Sequence, residues 1–293
     1  ALGNFEEAIK FYSRAIRTDD AKAQLKSVER LANLQSRYAT QMWEMQRAQR
    51  ARPAAGKRKS RADRAEWKQE IEAIREKIEE AGKVLDWLIQ SGEGVGLIPG
   101  GNSERYALRG KVYKCQALIA DSRAEREANL QKARELYEAG YLWAKARNEK
   151  SDSAADWKNF IFPAVNLVAC GVLLPDTKRD ELTAVIAECR QALDEGKVLE
   201  NNFWTRIIRP ELLLLEQLMT GDLAEHKDAI LQGYDSAVGA GIKPSDAESV
   251  LWQMQFLIAM LESEGRSKSD VAAAKTIGEI RAALLQLVDS TSR

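Results

Sequence analysis

Histidine is almost missing from this chain: of 293 residues only His226 is one. A zinc site from His and Cys needs clustered ligands, and a Cys–His catalytic pair needs a histidine brought to a cysteine. Neither pattern is present, and His226 reads as a residue on a surface helix. Cysteine is scarce as well. Cys115, Cys170 and Cys189 form an odd, widely spaced set inside apolar helical stretches. That usage predicts buried, reduced thiols of a cytoplasmic protein, ahead of disulfides or metal ligands. No apolar run approaches the roughly 20 residues of a membrane span, and no signal-type apolar region with a cleavage site opens the chain. An excess of either charge is lacking too: 44 basic residues face 44 acidic ones. Global charge therefore points to neither a nucleic-acid binder nor a membrane-surface protein.

Catalytic patterns are equally thin. The Gly-rich run around Gly92, Gly94, Gly96, Pro99, Gly100 and Gly101 has no Lys-Ser/Thr after it and no strand before it. It reads as a connector over 91–102 and not as a phosphate loop. Acids such as Glu79 and Glu80 belong to a solvated helix face, since paired carboxylates argue acid–base chemistry only when something buries them. No enzyme activity is expected within this segment, and no cofactor or metal.

What is present is helical periodicity from end to end. Apolar residues at three- and four-residue steps predict helices over 24–50 (Leu25, Val28, Leu31, Leu34, Tyr38, Met42) and 65–90 (Ile71, Ile74, Ile78, Leu85, Leu88). A helix follows from Ser103, a candidate N-cap, and another near 125–147. The stretch 153–174 contains Pro163, which predicts a kink or a restart. Further helices are expected near 178–195, 201–220, 222–240, 244–264 and 268–289, punctuated by Gly221, Gly239, Gly241, Pro244 and Gly265. Between the second and third helices, Arg47, Arg50, Arg52, Lys57, Arg58, Lys59, Arg61 and Arg64 cluster around Pro53 and Gly56. This predicts a basic loop over 47–64.

The opening helix carries Gly3, Ala8, Tyr12 and Ala15. This small-and-aromatic spacing resembles the second helix of a tetratricopeptide (TPR) repeat. Leu31, Leu34 and Tyr38 fall where such a repeat places large packing residues, with Gln35 in place of its usual small residue. Gly110 and Tyr113 match a first helix, though Arg109 stands where Leu is usual, and Ala133, Tyr137 and Gly140 repeat the spacing of the opening helix. The resemblance implies an all-α, TPR-like α-solenoid of antiparallel helix pairs over 1–293, a segment of a longer protein. In order, SVERLANLQSRYA, ERYALRGKVYKCQAL, FIFPAVNLVACGVLL, NFWTRIIRPELLLLEQL and SVLWQMQFLIAML resemble the TPR region of bacterial conflict-system proteins, often fused to caspase-like CHAT proteases. No protease motif lies in this chain; the protease domain would be elsewhere in the full-length protein.

That resemblance implies a recognition or regulatory arm that binds a protein or peptide along a concave face. The polar residues Asn33, Arg37, Arg109, Lys114 and Asn166 are its candidate contacts, and ordinary helix polarity is the competing account of them. A different class of function stays open: Lys57, Arg58, Lys59 and Arg61 neutralising phosphates of RNA or of an RNA–protein complex, with Trp43 and Trp67 flanking for stacking. The bland account of those tryptophans is inward packing. A third reading is an architectural segment that oligomerises through Trp204, Leu212 and Leu215.

Overall fold

A computed structural model describes residues 2–15, 21–51, 61–93, 101–148, 154–198, 203–239, 241 and 244–291. Every regular element among them is a helix: α1 (Leu2–Ala15), α2 (Ala21–Ala51), α3 (Arg61–Glu93), α4 (Gly101–Ile119), α5 (Arg123–Asn148) and α6 (Ala154–Gly171). These are followed by α7 (Arg179–Asp194), α8 (Phe203–Arg206), α9 (Ile208–Thr220), α10 (Lys227–Val238), α11 (Pro244–Leu261) and α12 (Lys268–Thr291). No helix of the described residues is long and apolar enough to cross a membrane.

Local chemistry sets several boundaries. α5 starts two residues before the predicted position, because Ser122 Oγ accepts the Glu125 backbone N–H while the Glu125 carboxylate accepts the Asp121 N–H. Ser267 and Asp270 bond each other reciprocally ahead of α12, forming a capping box. Gly221 closes α9 in the left-handed conformation, with φ 95°. Two prolines act in opposite ways. Pro210, lacking an N–H, offers no hydrogen to the carbonyl four residues back, and the expected 201–220 helix divides into α8 and α9 at Ile207. Pro163 withholds the same hydrogen from Asn159, yet α6 runs through it unbroken. The Ser103 hydroxyl of α4 donates to the Asn159 carbonyl at 2.9 Å. Ser103 thus lies inside α4 and satisfies a neighbouring helix, where the sequence suggests an N-cap.

Through α6 each helix packs on the one before it, and α2 also meets α4, as α4 meets α6. Small residues permit the closest approaches. A Cβ on Gly110 would meet the Tyr137 ring at 2.9–3.1 Å, and one on Gly140 would meet Tyr106, Ser103 and Pro163 at 3.2–3.4 Å. The spacing of Gly110 with Tyr137 is therefore a packing device between α4 and α5. Later the chain order is not kept, since α10 packs on α12 and α11 returns to α4. One connected apolar core runs from Val28 to Val288. Leu212 and Leu215 lie inside it at 0% and 2% exposure, so they form no oligomer surface. Trp43 and Trp67 also pack onto this core, which is the inward account of the two tryptophans.

The basic segment is shorter as a loop than expected. α2 continues through Arg47 and Arg50 to Ala51, and Arg61 and Arg64 already belong to α3. Residues 44–51 contain good helix formers and no breaker before Pro53, so the helix has no reason to stop at 47. Likewise α3 passes through Gly92 to Glu93 and α4 opens at Gly101, which trims the connector expected over 91–102.

Candidate functional site

Helix α4 carries four long cations, and each is engaged by other helices. On one side Arg105 donates to Glu29 of α2 at 2.8 Å, and both side chains are almost wholly buried. Four residues on, Arg109 grips Asp86 of α3 through two hydrogen bonds of 2.7 and 2.8 Å and lies 4.3 Å from the Tyr113 ring centroid. Gly82 of α3 leaves the room that the Arg109 guanidinium occupies, since a Cβ there would collide with it. A planar, bidentate fork matches the Asp86 carboxylate and explains an Arg at this largely buried position.

The second row, Lys111 and Lys114, points to the face shared by α2, α4 and α6. Lys111 donates to Asn33 of α2 at 2.8 Å. Lys114 is fully buried; its ammonium donates to Asn166 of α6 at 2.9 Å and to Gln253 of α11. Asn166 is held in turn by its own bond to the Phe162 carbonyl at 3.0 Å. The Lys114 ammonium lies 4.4 Å from the Phe256 ring centroid and 4.9 Å from that of Trp252. Burial pushes both Lys111 and Lys114 down to about 8. At the α2 end Arg37 pairs with Glu248 of α11 at 3.0 Å.

One helix, α11, accounts for this arrangement. Its Glu248 reaches α2, its Trp252, Gln253 and Phe256 surround Lys114 of α4, and Gln253, Met254 and Leu257 share a small cavity with Val165 of α6. Asn33, Arg37, Lys114 and Asn166 are thus brought together, and α11 of the same chain is seated on them. Arg109 faces the other way, into α3. The last third of α11, Phe256 to Leu261, is buried throughout. At about 1.5–3 kcal/mol per large apolar side chain, that burial anchors α11 in the fold, chiefly through its packing on α12.

Sequence reasoning passed over Lys111, Glu211, Glu248, Trp252 and Gln253. Lys111 precedes Lys114 by one helical step, which was the legible signal; for the α11 residues no sequence pattern announces a helix that crosses three others. Of the basic candidates, Lys57, Arg58 and Lys59 lie outside the described residues, and Arg61 opens α3. The three cysteines are free and buried. Burial raises Cys170 to about 11 and Cys189 to about 12, which keeps the thiols protonated and poorly nucleophilic. His226 precedes the first residue of α10 and is half-buried. Among the described residues no group of three or more His, Cys, Asp or Glu is placed to hold a metal ion.

Comparison with protein-family models, with curated proteins and with solved structures gives no match. Function is therefore argued from this chain's own geometry.

Proposed function

We propose that this chain is a protein-binding, TPR-like helical scaffold. One observation carries the reading: the shared face of α2, α4 and α6 already holds a helix, α11, through side-chain contacts, and it is open beside that helix. Phe162 stands one helical turn before Asn166 on α6 and remains 54% exposed. An exposed aromatic beside such a seat is the kind of anchor on which protein interfaces concentrate their binding energy. The buried Arg105–Glu29 pair and the part-exposed, bidentate Arg109–Asp86 pair support the scaffold half of the reading, since their geometry fixes how α4 sits between α2 and α3.

On this reading the chain is the recognition or regulatory arm of a bacterial defence protein. Binding along the helical face biases an attached effector, a CHAT-type protease, by favouring one of its states. A photo-crosslinking residue at position 162 tests the binding. A protein partner is expected there, and Phe162→Asp is expected to abolish its capture without changing the helical circular dichroism. Absence of any protein crosslink at 162, or recovery of RNA lost on neutralising Lys57, Arg58, Lys59 and Arg61, would overturn the reading.

A further inference from the structure

At the junction where α9 and α10 meet α6 and α11, Glu211 lines a small cavity with Val165, Leu214, Leu215, Tyr234, Gln253, Met254 and Leu257. Six of these eight walls are apolar or aromatic side chains. Among the described residues no side-chain hydrogen bond reaches the half-buried Glu211 carboxylate, and the buried Gln253 Nε2 has no partner. Gln253 spends its oxygen on Lys114. The amide donor left over and the carboxylate left over line the same cavity.

We propose that Glu211 is a proton-binding switch whose charge state sets how Gln253 and Lys114 hold α11. Ionised, the carboxylate accepts the free Gln253 N–H and draws on the Lys114 ammonium, at the cost of a charge held beside a largely apolar cavity. When a proton arrives from solvent on a carboxylate oxygen, the group becomes neutral, releases Lys114 wholly to Asn166 and Gln253, and leaves the cavity apolar.

Among the described residues the surroundings offer no other group to absorb the charge. Lys114 of α4 is the cation that Glu211 feels. α10 contributes Tyr234, whose hydroxyl burial keeps protonated. Beside Lys114, α6 contributes Cys170, protonated for the same reason. α7 faces α9 through Arg190 and Asp194, and these are engaged with Glu216 and Arg209. From α8 comes Arg206, which is exposed. α11 contributes the neutral Gln253.

Burial raises the Glu211 carboxyl to about 7, with Lys114 opposing the rise. A carboxyl raised in this way binds its proton more tightly folded than unfolded. Its stabilising protonation is therefore complete on the acid side and is lost as pH rises from the ordinary carboxylate range through about 7.

Equilibrium unfolding of the wild type and Glu211→Gln between pH 5 and pH 8 tests the switch. The difference between them isolates Glu211 together with Lys114, the one titrating group whose charge is coupled to it. The wild-type folding constant is expected to fall on the order of 50-fold relative to the variant across that window, and the variant is expected to be the more stable at pH 8. Equal pH dependence in the two proteins, or a variant less stable at pH 8, would overturn the proposal. On the wild type alone, the Glu211 carboxyl carbon followed by NMR is expected to titrate near neutrality; a midpoint in the ordinary carboxylate range would refute it. Amide exchange in α11, corrected for its intrinsic pH dependence, is expected to quicken from pH 6 to pH 8 in the wild type only. Identical behaviour in the variant would remove the link to α11.

Discussion

Gly110→Ala is the sharpest probe of how α4 and α5 fit together. In the middle of a helix the change should stabilise, by about 1 kcal/mol, because Ala has the higher helix propensity. Here the new Cβ would stand 2.9–3.1 Å from three atoms of the Tyr137 ring. That ring is 1% exposed and cannot swing into solvent. Overpacking of a well-filled core costs roughly 1–3 kcal/mol, so the propensity gain is cancelled or outweighed and the net change is a loss of about 0–2 kcal/mol. In a Tyr137→Leu background the ring is gone and the same substitution should recover its gain of about 1 kcal/mol. Urea unfolding of the four proteins of this double-mutant cycle measures the coupling, expected at about 1–3 kcal/mol. Should Gly110→Ala stabilise both backgrounds equally, the close approach of Gly110 to Tyr137 has no energetic meaning and the account of the spacing fails.

The same logic reaches other sites. Ser103→Ala should cost about 1–2 kcal/mol by denaturant unfolding, because the Asn159 carbonyl loses its donor; with Pro163→Ala, which restores the backbone N–H, that cost should largely vanish. Arg105→Ala should destabilise by about 3–5 kcal/mol, taking the buried guanidinium away from the Glu29 carboxylate, whereas apolar replacement of both residues should recover most of the loss in a thermal melt. Glu248→Ala breaks an ion pair whose acid is 66% exposed and should change stability by less than about 1 kcal/mol. Thiol titration of the native protein should modify Cys170 and Cys189 only at the rate of unfolding, since burial keeps both protonated.

Much of the helical layout was legible because a 3.6-residue period survives whatever a helix packs against. The stretch 268–289 was readable as α12 from its apolar stripe alone, and the observed helix differs only at its end. The two prolines mark the limit of such reading. Pro210 and Pro163 pose the same local problem, a carbonyl without its hydrogen, and sequence treats them alike. Only the position of Ser103, 56 residues away in the chain, separates the break at Ile207 from the continuous α6. The candidate site shows a similar limit. Asn33, Arg37, Lys114 and Asn166 do share a face, as their helical phases suggest, but phase does not reveal what crosses that face.

The consequence for function lies in the identity of that occupant. A row of amides and cations on neighbouring helices has the same sequence signature whether it receives a foreign peptide or a later helix of its own chain. Here Glu248, Trp252, Gln253 and Phe256 supply an acid, two aromatics and an amide to the row. These are the groups a helical ligand would bring. The buried last third of α11 anchors that helix in the fold, chiefly on α12. On the proposed binding function, a partner from outside would meet the margin of the seat, at Phe162, and the centre of the seat is left to internal control. Glu211 is placed for that control. It shares a cavity with Gln253, so a proton taken up there acts on the contact between Lys114 and α11, without any ligand reaching the core.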